Sequence, residues 1–136
     1  MELNTTHLGD CMELSKQLKD NSIDLVITSP PYADTVSYGN DVNVFDPENY
    51  PNWILPLFKE SSRFLKPNGS FILNINDRIL NGSRSIYVME TVVNIVKNTG
   101  LKLFDRYMWC KKSTLPVHGD RRLNDRIEYI FHFVRN

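Results

Sequence analysis

The chain has 136 residues, 41% of them hydrophobic, and its 16 basic side chains balance 16 acidic ones. This length suits one domain with a packed core, which excludes a disordered chain; without an apolar run of membrane-spanning length or a signal-peptide pattern, we expect no membrane association. Two widely separated cysteines match neither a disulfide framework nor a metal-site spacing, so we expect a reducing, cytoplasmic location and no metal.

The charges are unevenly distributed along the chain. Residues 1–68 carry ten acidic and five basic side chains, whereas residues 69–136 carry six acidic and eleven basic ones. A basic second half hints at a polyanionic partner, and scatter in a small sample accounts for the split equally well.

The first third of the chain predicts a strand, a helix and a second strand. Residues 5–8 are a weak strand candidate, and Asp10 is suited to cap a short helix over residues 11–19. The β-branched segment 23–28 predicts a buried parallel strand. Ser29-Pro30-Pro31 should end this strand, because proline cannot donate to a sheet ladder.

The rest of the chain continues the alternation of strands and helices. A polar loop is predicted after the prolines, a helix from Asp46-Pro47, and another helix that ends near Gly100. Further strands are predicted at 70–75, 101–109 and 127–134, with turns at 66–69 and 81–82. This order predicts an α/β domain with a mostly parallel sheet and an antiparallel C-terminal strand.

The sharpest motif is Thr28-Ser29-Pro30-Pro31-Tyr32, directly after an apolar strand. Ligands of such sheets bind beyond the carboxyl ends of the strands, where Asp10, Ser29 and Asn76 are also expected. The Ser29 hydroxyl and the Pro30 carbonyl can accept hydrogen bonds from the two N–H groups of an exocyclic amine, which frees a lone pair otherwise delocalised into the base. Tyr32 offers a flat face to a base taken out of the helix. A simple tight turn is the alternative interpretation.

Ser29-Pro30-Pro31-Tyr32 after a strand resembles the catalytic motif of amino-methylating DNA methyltransferases, which use S-adenosylmethionine. Other segments resemble the catalytic half of the beta-ordered group, in which that half precedes the cofactor half; they are residues 8–11, 22–32, 63–70, 109–112, 120–122 and 128–130. The resemblance implies a partial Rossmann-like methyltransferase fold over residues 1–136. It also implies methylation of double-stranded DNA at a flipped base in a restriction–modification system.

The resemblance further implies roles for individual residues. Ser29, Pro30, Pro31 and Tyr32 would be catalytic, and serine at position 29, where adenine-N6 enzymes usually carry aspartate, points to cytosine N4 with adenine N6 as the alternative. The cofactor would lie against Thr28 and Ser29, with its adenine held by the Asp10 carboxylate and the Cys11 backbone N–H. Helix capping by Asp10 is compatible with this role. Without a Pro-Cys dipeptide, direct displacement of the methyl group is expected instead of cysteine catalysis.

Two further sets of residues are candidates for contacts with DNA. Basic residues between the last two strands would contact phosphates, with a solvated hairpin as the alternative; they are Lys111, Lys112, His118, Arg121 and Arg122. Four aromatic residues would line the pocket of the base, although Trp53 suits a helix core better; they are Tyr38, Phe45, Tyr50 and Trp53.

The chain contains no Gly-x-Gly sequence, whereas the family has a Phe-x-Gly-x-Gly turn against the methionine part of the cofactor. The target-recognition region of the family would begin after about residue 134. We therefore expect a catalytic half without the glycine-rich cofactor half or target recognition. A second polypeptide or self-association should cover the open sheet edge at residues 5–8 and 23–28. An inactive DNA-binding or assembly remnant is the alternative.

Overall fold

The computed structural model of the chain describes residues 2–33, 46–112 and 126–135. Its elements in chain order are α1 (Cys11–Ser15), β1 (Ile23–Thr28), α2 (Tyr50–Phe64), β2 (Leu65–Ile75), β3 (Ile79–Leu80), β4 (Ser83–Arg84), α3 (Tyr87–Asn98), β5 (Leu101–Cys110) and β6 (Ile127–Arg135). Among these residues, no helix is both long enough and apolar enough to cross a membrane.

The main sheet has the strand order β1-β2-β6-β5. β1 pairs with β2 in parallel, and β6 runs antiparallel to both of its neighbours. β5 therefore points in the same direction as β1 and β2. This arrangement confirms the expected α/β domain with an antiparallel C-terminal strand. It brings the carboxyl ends of β1 and β2 and the first residues of β6 to one end of the sheet.

The core lies between one face of the sheet and helices α2 and α3. The ring of Phe58 in α2 lies 4.5 Å from that of Phe71 in β2 and 5.6 Å from that of Phe133 in β6. Tyr50 of α2 meets Tyr87 of α3 edge to face at 5.0 Å. All five rings are buried. Burial of a large apolar side chain contributes about 1.5–3 kcal/mol, so this aromatic cluster anchors both helices to the sheet.

The opposite face of the sheet is apolar and exposed. Leu25 and Ile27 of β1 alternate with Val26, which pairs with the buried Phe71, and they are 52% and 69% exposed. Tyr107 and Trp109 of β5 project from the same open face. The expectation that segment 23–28 forms a buried strand was therefore wrong, because β1 lies at the edge of the sheet and only one of its faces is covered.

Several predicted boundaries differ from the structure. Residues 5–8 form no strand, and Leu8 is fully exposed. The first helix ends at Ser15 instead of continuing to Lys19. The Asp46 carboxylate accepts the backbone N–H of Glu48 in a preceding turn, and α2 begins only at Tyr50. Asn81-Gly82 forms the expected turn, which joins β3 and β4.

The predicted turn at 66–69 lies inside strand β2. Asn68 has a φ of 65°, and the register between β1 and β2 shifts between Ile23 and Leu25. A Cβ atom at Gly69 would lie 2.8 Å from the Lys66 carbonyl oxygen and 3.1 Å from that of Ile23. The glycine thus permits close approach of two backbones, and the turn residues produce an irregularity within the strand instead of ending it.

Candidate active site

The segment Ser29-Pro30-Pro31-Tyr32 leaves the carboxyl end of β1 at the rim of a cavity of about 430 Å³. Pro30 is buried and Ser29 is exposed. The cavity brings together the residues predicted to bind cofactor with the two prolines and part of α2; its lining is Asp10, Cys11, Met12, Thr28, Ser29, Pro30, Pro31, Trp53, Ile54 and Leu57. Residues distant in sequence therefore meet where a ligand of an α/β sheet is expected.

The Asp10 side chain caps helix α1. Its Oδ1 accepts the backbone N–H of Met12 at 2.7 Å, a contact that typically contributes about 1 kcal/mol. The cap leaves Oδ2 of this exposed residue available for a second partner. The capping role and a ligand role are thus compatible in this geometry.

Helix α2 supports the segment from behind. Tyr50 is fully buried, and its hydroxyl donates to the Pro31 carbonyl oxygen at 2.9 Å. Tyr50 therefore braces the loop. The prediction that it lines an open base pocket was wrong, because its side chain is buried. Trp53, expected in the core, is 43% exposed and lines the cavity. Tyr38 and Phe45 lie outside the described residues.

A hydrogen-bonded network links the segment to strands β2 and β6. The Tyr32 hydroxyl lies 3.1 Å from Ser29 Oγ and donates to Glu128 Oε2 at 3.3 Å. The Asn74 side-chain amide donates to the Tyr32 oxygen and to Glu128 Oε2, both at 3.0 Å. The network joins the ends of three neighbouring strands. The sequence analysis assigned no function to Glu128 or Asn74. The signals for Glu128 were its position in segment 128–130, which resembles the family, and an acidic residue within an apolar strand.

Glu128 is 9% exposed and forms an ion pair with Lys111. Burial favours a higher pKa for this carboxyl, but the Lys111 ammonium and the Asn74 and Tyr32 donors outweigh burial, so the pKa of Glu128 is lowered. Lys111, predicted to contact DNA, is thus engaged at the site itself. Lys112 is exposed, whereas His118, Arg121 and Arg122 lie outside the described residues.

Lys111→Met is expected to raise the pKa of Glu128, because burial then lacks its main opposing influence. The folded-state pKa of Glu128 is lowered in the wild type, so its ionised form stabilises the fold at pH values above the unfolded-state pKa. This stabilisation is lost as the pH falls through the folded-state pKa. We therefore expect Lys111→Met to cost about 1–3 kcal/mol at pH 7 and progressively less as the pH falls through the folded-state pKa of Glu128. Carboxyl ¹³C NMR titration and urea unfolding across that pH range measure this.

Lys112→Met is the matched control, because this exposed neighbour should change neither quantity. An unchanged Glu128 titration in Lys111→Met would contradict the account.

Among the described residues, no group of three or more His, Cys, Asp or Glu side chains is placed to hold a metal ion.

Known DNA methylases are similar to this protein along most of its chain. A family model described as DNA methylase matches residues 23–136. The type II methyltransferase M.PvuII of Proteus hauseri is 33% identical over 114 residues, which are 81% of this chain and 33% of that protein. M.BglII of Bacillus subtilis is 29% identical over 133 residues, 98% of this chain and 36% of that protein. The chain spans about a third of the length of these curated relatives.

Solved structures repeat the fold. A structure described as PvuII DNA methyltransferase, cytosine-N4-specific, has a TM-score of 0.83 at 28% identity and covers 96% of this chain and 48% of its own. A putative DNA modification methylase from Thermus thermophilus, complexed with S-adenosyl-L-methionine, has a TM-score of 0.73 at 24% identity, with 95% and 52% covered. At this lower identity the second likeness concerns the fold alone.

Proposed function

The chain belongs to the DNA methylase family, and from this premise we propose that it supplies the catalytic half of a DNA methyltransferase that modifies the exocyclic N4 of cytosine. The observation that carries the proposal is the placement of Ser29-Pro30-Pro31-Tyr32 at the carboxyl end of β1, beside a cavity shared with Asp10 and Cys11. Double-stranded DNA with a flipped cytosine would be the substrate.

In the proposed mechanism, Ser29 and Pro30 act on the target amine. The Ser29 hydroxyl oxygen and the Pro30 carbonyl oxygen accept hydrogen bonds from its two N–H groups, and the nitrogen becomes tetrahedral with its lone pair free. Once the nitrogen has taken the methyl group, it would release one of these two protons to solvent. Positive charge then builds on the nitrogen beside these oxygens, so their interaction strengthens in the transition state. Tyr32 would stack on the base, and the braced Pro31 carbonyl limits movement of the segment.

S-adenosylmethionine is the proposed cofactor and supplies an electrophilic methyl group when bound. The cavity fits its adenine end, because the exposed Asp10 carboxylate can accept the adenine amine while the Cys11 backbone N–H donates to a ring nitrogen. The 136 residues contain no Gly-x-Gly turn for the methionine end. That part of the site belongs to the cofactor half, whether this half lies on the same polypeptide or on a separate one.

The open face of the sheet supports the need for a cofactor half. Parallel strands such as β1 and β2 are usually covered on both faces of the sheet, yet Leu25 and Ile27 of β1 are exposed opposite α2 and α3, as are Tyr107 and Trp109 of β5. We propose that the cofactor half pairs with the free edge of β1 and covers the neighbouring apolar surface. Target recognition would likewise come from outside these residues. The complete enzyme would act in the cytoplasm as part of a restriction–modification system.

Cytosine N4 is preferred over adenine N6 because position 29 is serine and because the PvuII structure is described as cytosine-N4-specific. The chain combined with its cofactor half should therefore produce N4-methylcytosine in duplex DNA. Mass analysis of digested nucleosides measures the product. N6-methyladenine would replace the assignment of the base, and the absence of both products would contradict the proposed function.

A further inference from the structure

We propose that Glu128 is a positioning residue that sets the direction of the hydrogen bonds Ser29→Tyr32→Glu128, so that the Ser29 oxygen presents its lone pairs to the target amine. The inference rests on the proposed function. It concerns a buried carboxylate that is not among the residues lining the cavity, and that is linked to Ser29 through Tyr32.

A count of protons determines the direction. An ionised carboxylate only accepts hydrogen bonds, so the Tyr32 hydroxyl must donate to Glu128 Oε2. A phenol has one proton, and donation to Glu128 uses it. The 3.1 Å contact between Tyr32 and Ser29 therefore requires the Ser29 hydroxyl to be the donor. The Tyr32 oxygen accepts this proton and one from the Asn74 amide, which uses its two lone pairs.

The consequence falls on the Ser29 oxygen. With its proton directed to Tyr32, this oxygen has only lone pairs left for a ligand, and the target amine brings only protons to it. If Tyr32 instead donated to Ser29, the serine proton would turn towards the amine, and two donors would face each other. The negative charge of Glu128 also polarises the hydrogen bonds between Glu128, Tyr32 and Ser29. This makes the Ser29 oxygen a better acceptor as positive charge builds on the nitrogen of the target amine.

Because of Lys111, the direction of these hydrogen bonds depends on which atom of residue 128 faces Tyr32. The Lys111 ammonium pairs with Oε1 of Glu128, while Oε2 accepts hydrogen bonds from the Tyr32 hydroxyl and the Asn74 amide. In Glu128→Gln the ammonium would attract the amide oxygen and turn the amide NH2 towards Tyr32. The hydrogen bonds from Ser29 through Tyr32 would then reverse their direction, although glutamine has nearly the same shape as glutamate. If Lys111 is also replaced by methionine, the amide is free to turn its oxygen back to Tyr32.

The test is steady-state methyl transfer by the chain combined with its cofactor half. Loss of one favourable hydrogen bond in the transition state corresponds to about tenfold in kcat, and we expect this loss in Glu128→Gln with KM for DNA unchanged. Tyr32→Phe should lose a similar factor, and Glu128→Gln should cause no further loss in the Tyr32→Phe background, since the effect passes through the phenol. Lys111→Met should restore most of kcat to Glu128→Gln.

A second measurement needs no methyl transfer. In the chain labelled with ¹³Cζ-tyrosine, the Tyr32 signal should move in Glu128→Gln and return in the double variant with Lys111→Met, while the exposed Tyr107 signal stays in place. The inference is overturned by a kcat of Glu128→Gln equal to wild type, by additive losses with Tyr32→Phe, or by an unmoved Tyr32 signal. An active wild type that depends on Ser29 but not on Glu128 would overturn this inference alone, whereas a complete wild-type enzyme without transfer would overturn the proposed function with it.

Discussion

Ser29→Ala is expected to lower kcat for methyl transfer by about 100-fold in the complete enzyme, the usual loss when one preorganised polar contact to a transition state is removed. The hydroxyl is one of two proposed acceptors for the amine protons, and Pro30 provides the other. Without Ser29 the nitrogen lone pair stays more delocalised and the developing charge is less stabilised. The effect should appear in kcat and leave KM for DNA nearly unchanged, because the contact strengthens only in the transition state.

The measurement is the rate of tritium transfer from labelled cofactor to duplex DNA at saturating DNA. Ser29 is exposed, so its loss should change the free energy of unfolding by less than about 0.5 kcal/mol. Ser62→Ala is a matched control, because the Ser62 hydroxyl also bonds close to its own position, to the Lys59 carbonyl oxygen, and Ser62 is not among the residues that line the cavity. If Ser29→Ala retained full transfer, the catalytic assignment of the segment would be wrong.

The 136-residue chain alone is expected to bind S-adenosylmethionine at least about 100-fold more weakly than the complete enzyme, a difference near 2.7 kcal/mol. Its residues offer contacts to the adenine of the cofactor and no glycine turn for the methionine end. Isothermal calorimetry on the two forms measures the difference. Micromolar binding by the chain alone would show that the site is already complete within these residues.

Variants of Asp10 separate its two roles in this binding. Asn caps helices as well as Asp does, so Asp10→Asn should keep the melting temperature and lower cofactor affinity in the complete enzyme by about tenfold, the loss of one charge-assisted hydrogen bond. Asp10→Ala should lose both the cap and the affinity. If Asp10→Asn bound the cofactor as tightly as wild type, the carboxylate would serve the cap alone.

Local sequence patterns determined much of this protein. The alternation of apolar segments predicted β1, β2, β5 and β6, and the reversal of the last strand followed from two consecutive strands. The end of β1 at the Ser29–Tyr32 segment and the helix cap by Asp10 were also predicted from the sequence. These features depend on neighbours within a few positions, where spacing and the chemistry of proline, glycine and aspartate act directly.

Only the tertiary structure decided the exposure of β1, the brace from Tyr50 and the contacts of Glu128 with Tyr32, Asn74 and Lys111. Tyr32 and Glu128 are 96 positions apart, and they meet because the sheet order places the end of β1 near the start of β6 with β2 between them. Strand order and register depend on which apolar faces can be buried together, a choice made by the whole core. For the same reason Lys66-Pro67-Asn68-Gly69 became part of a strand, since pairing with β1 outweighed a local preference for a turn.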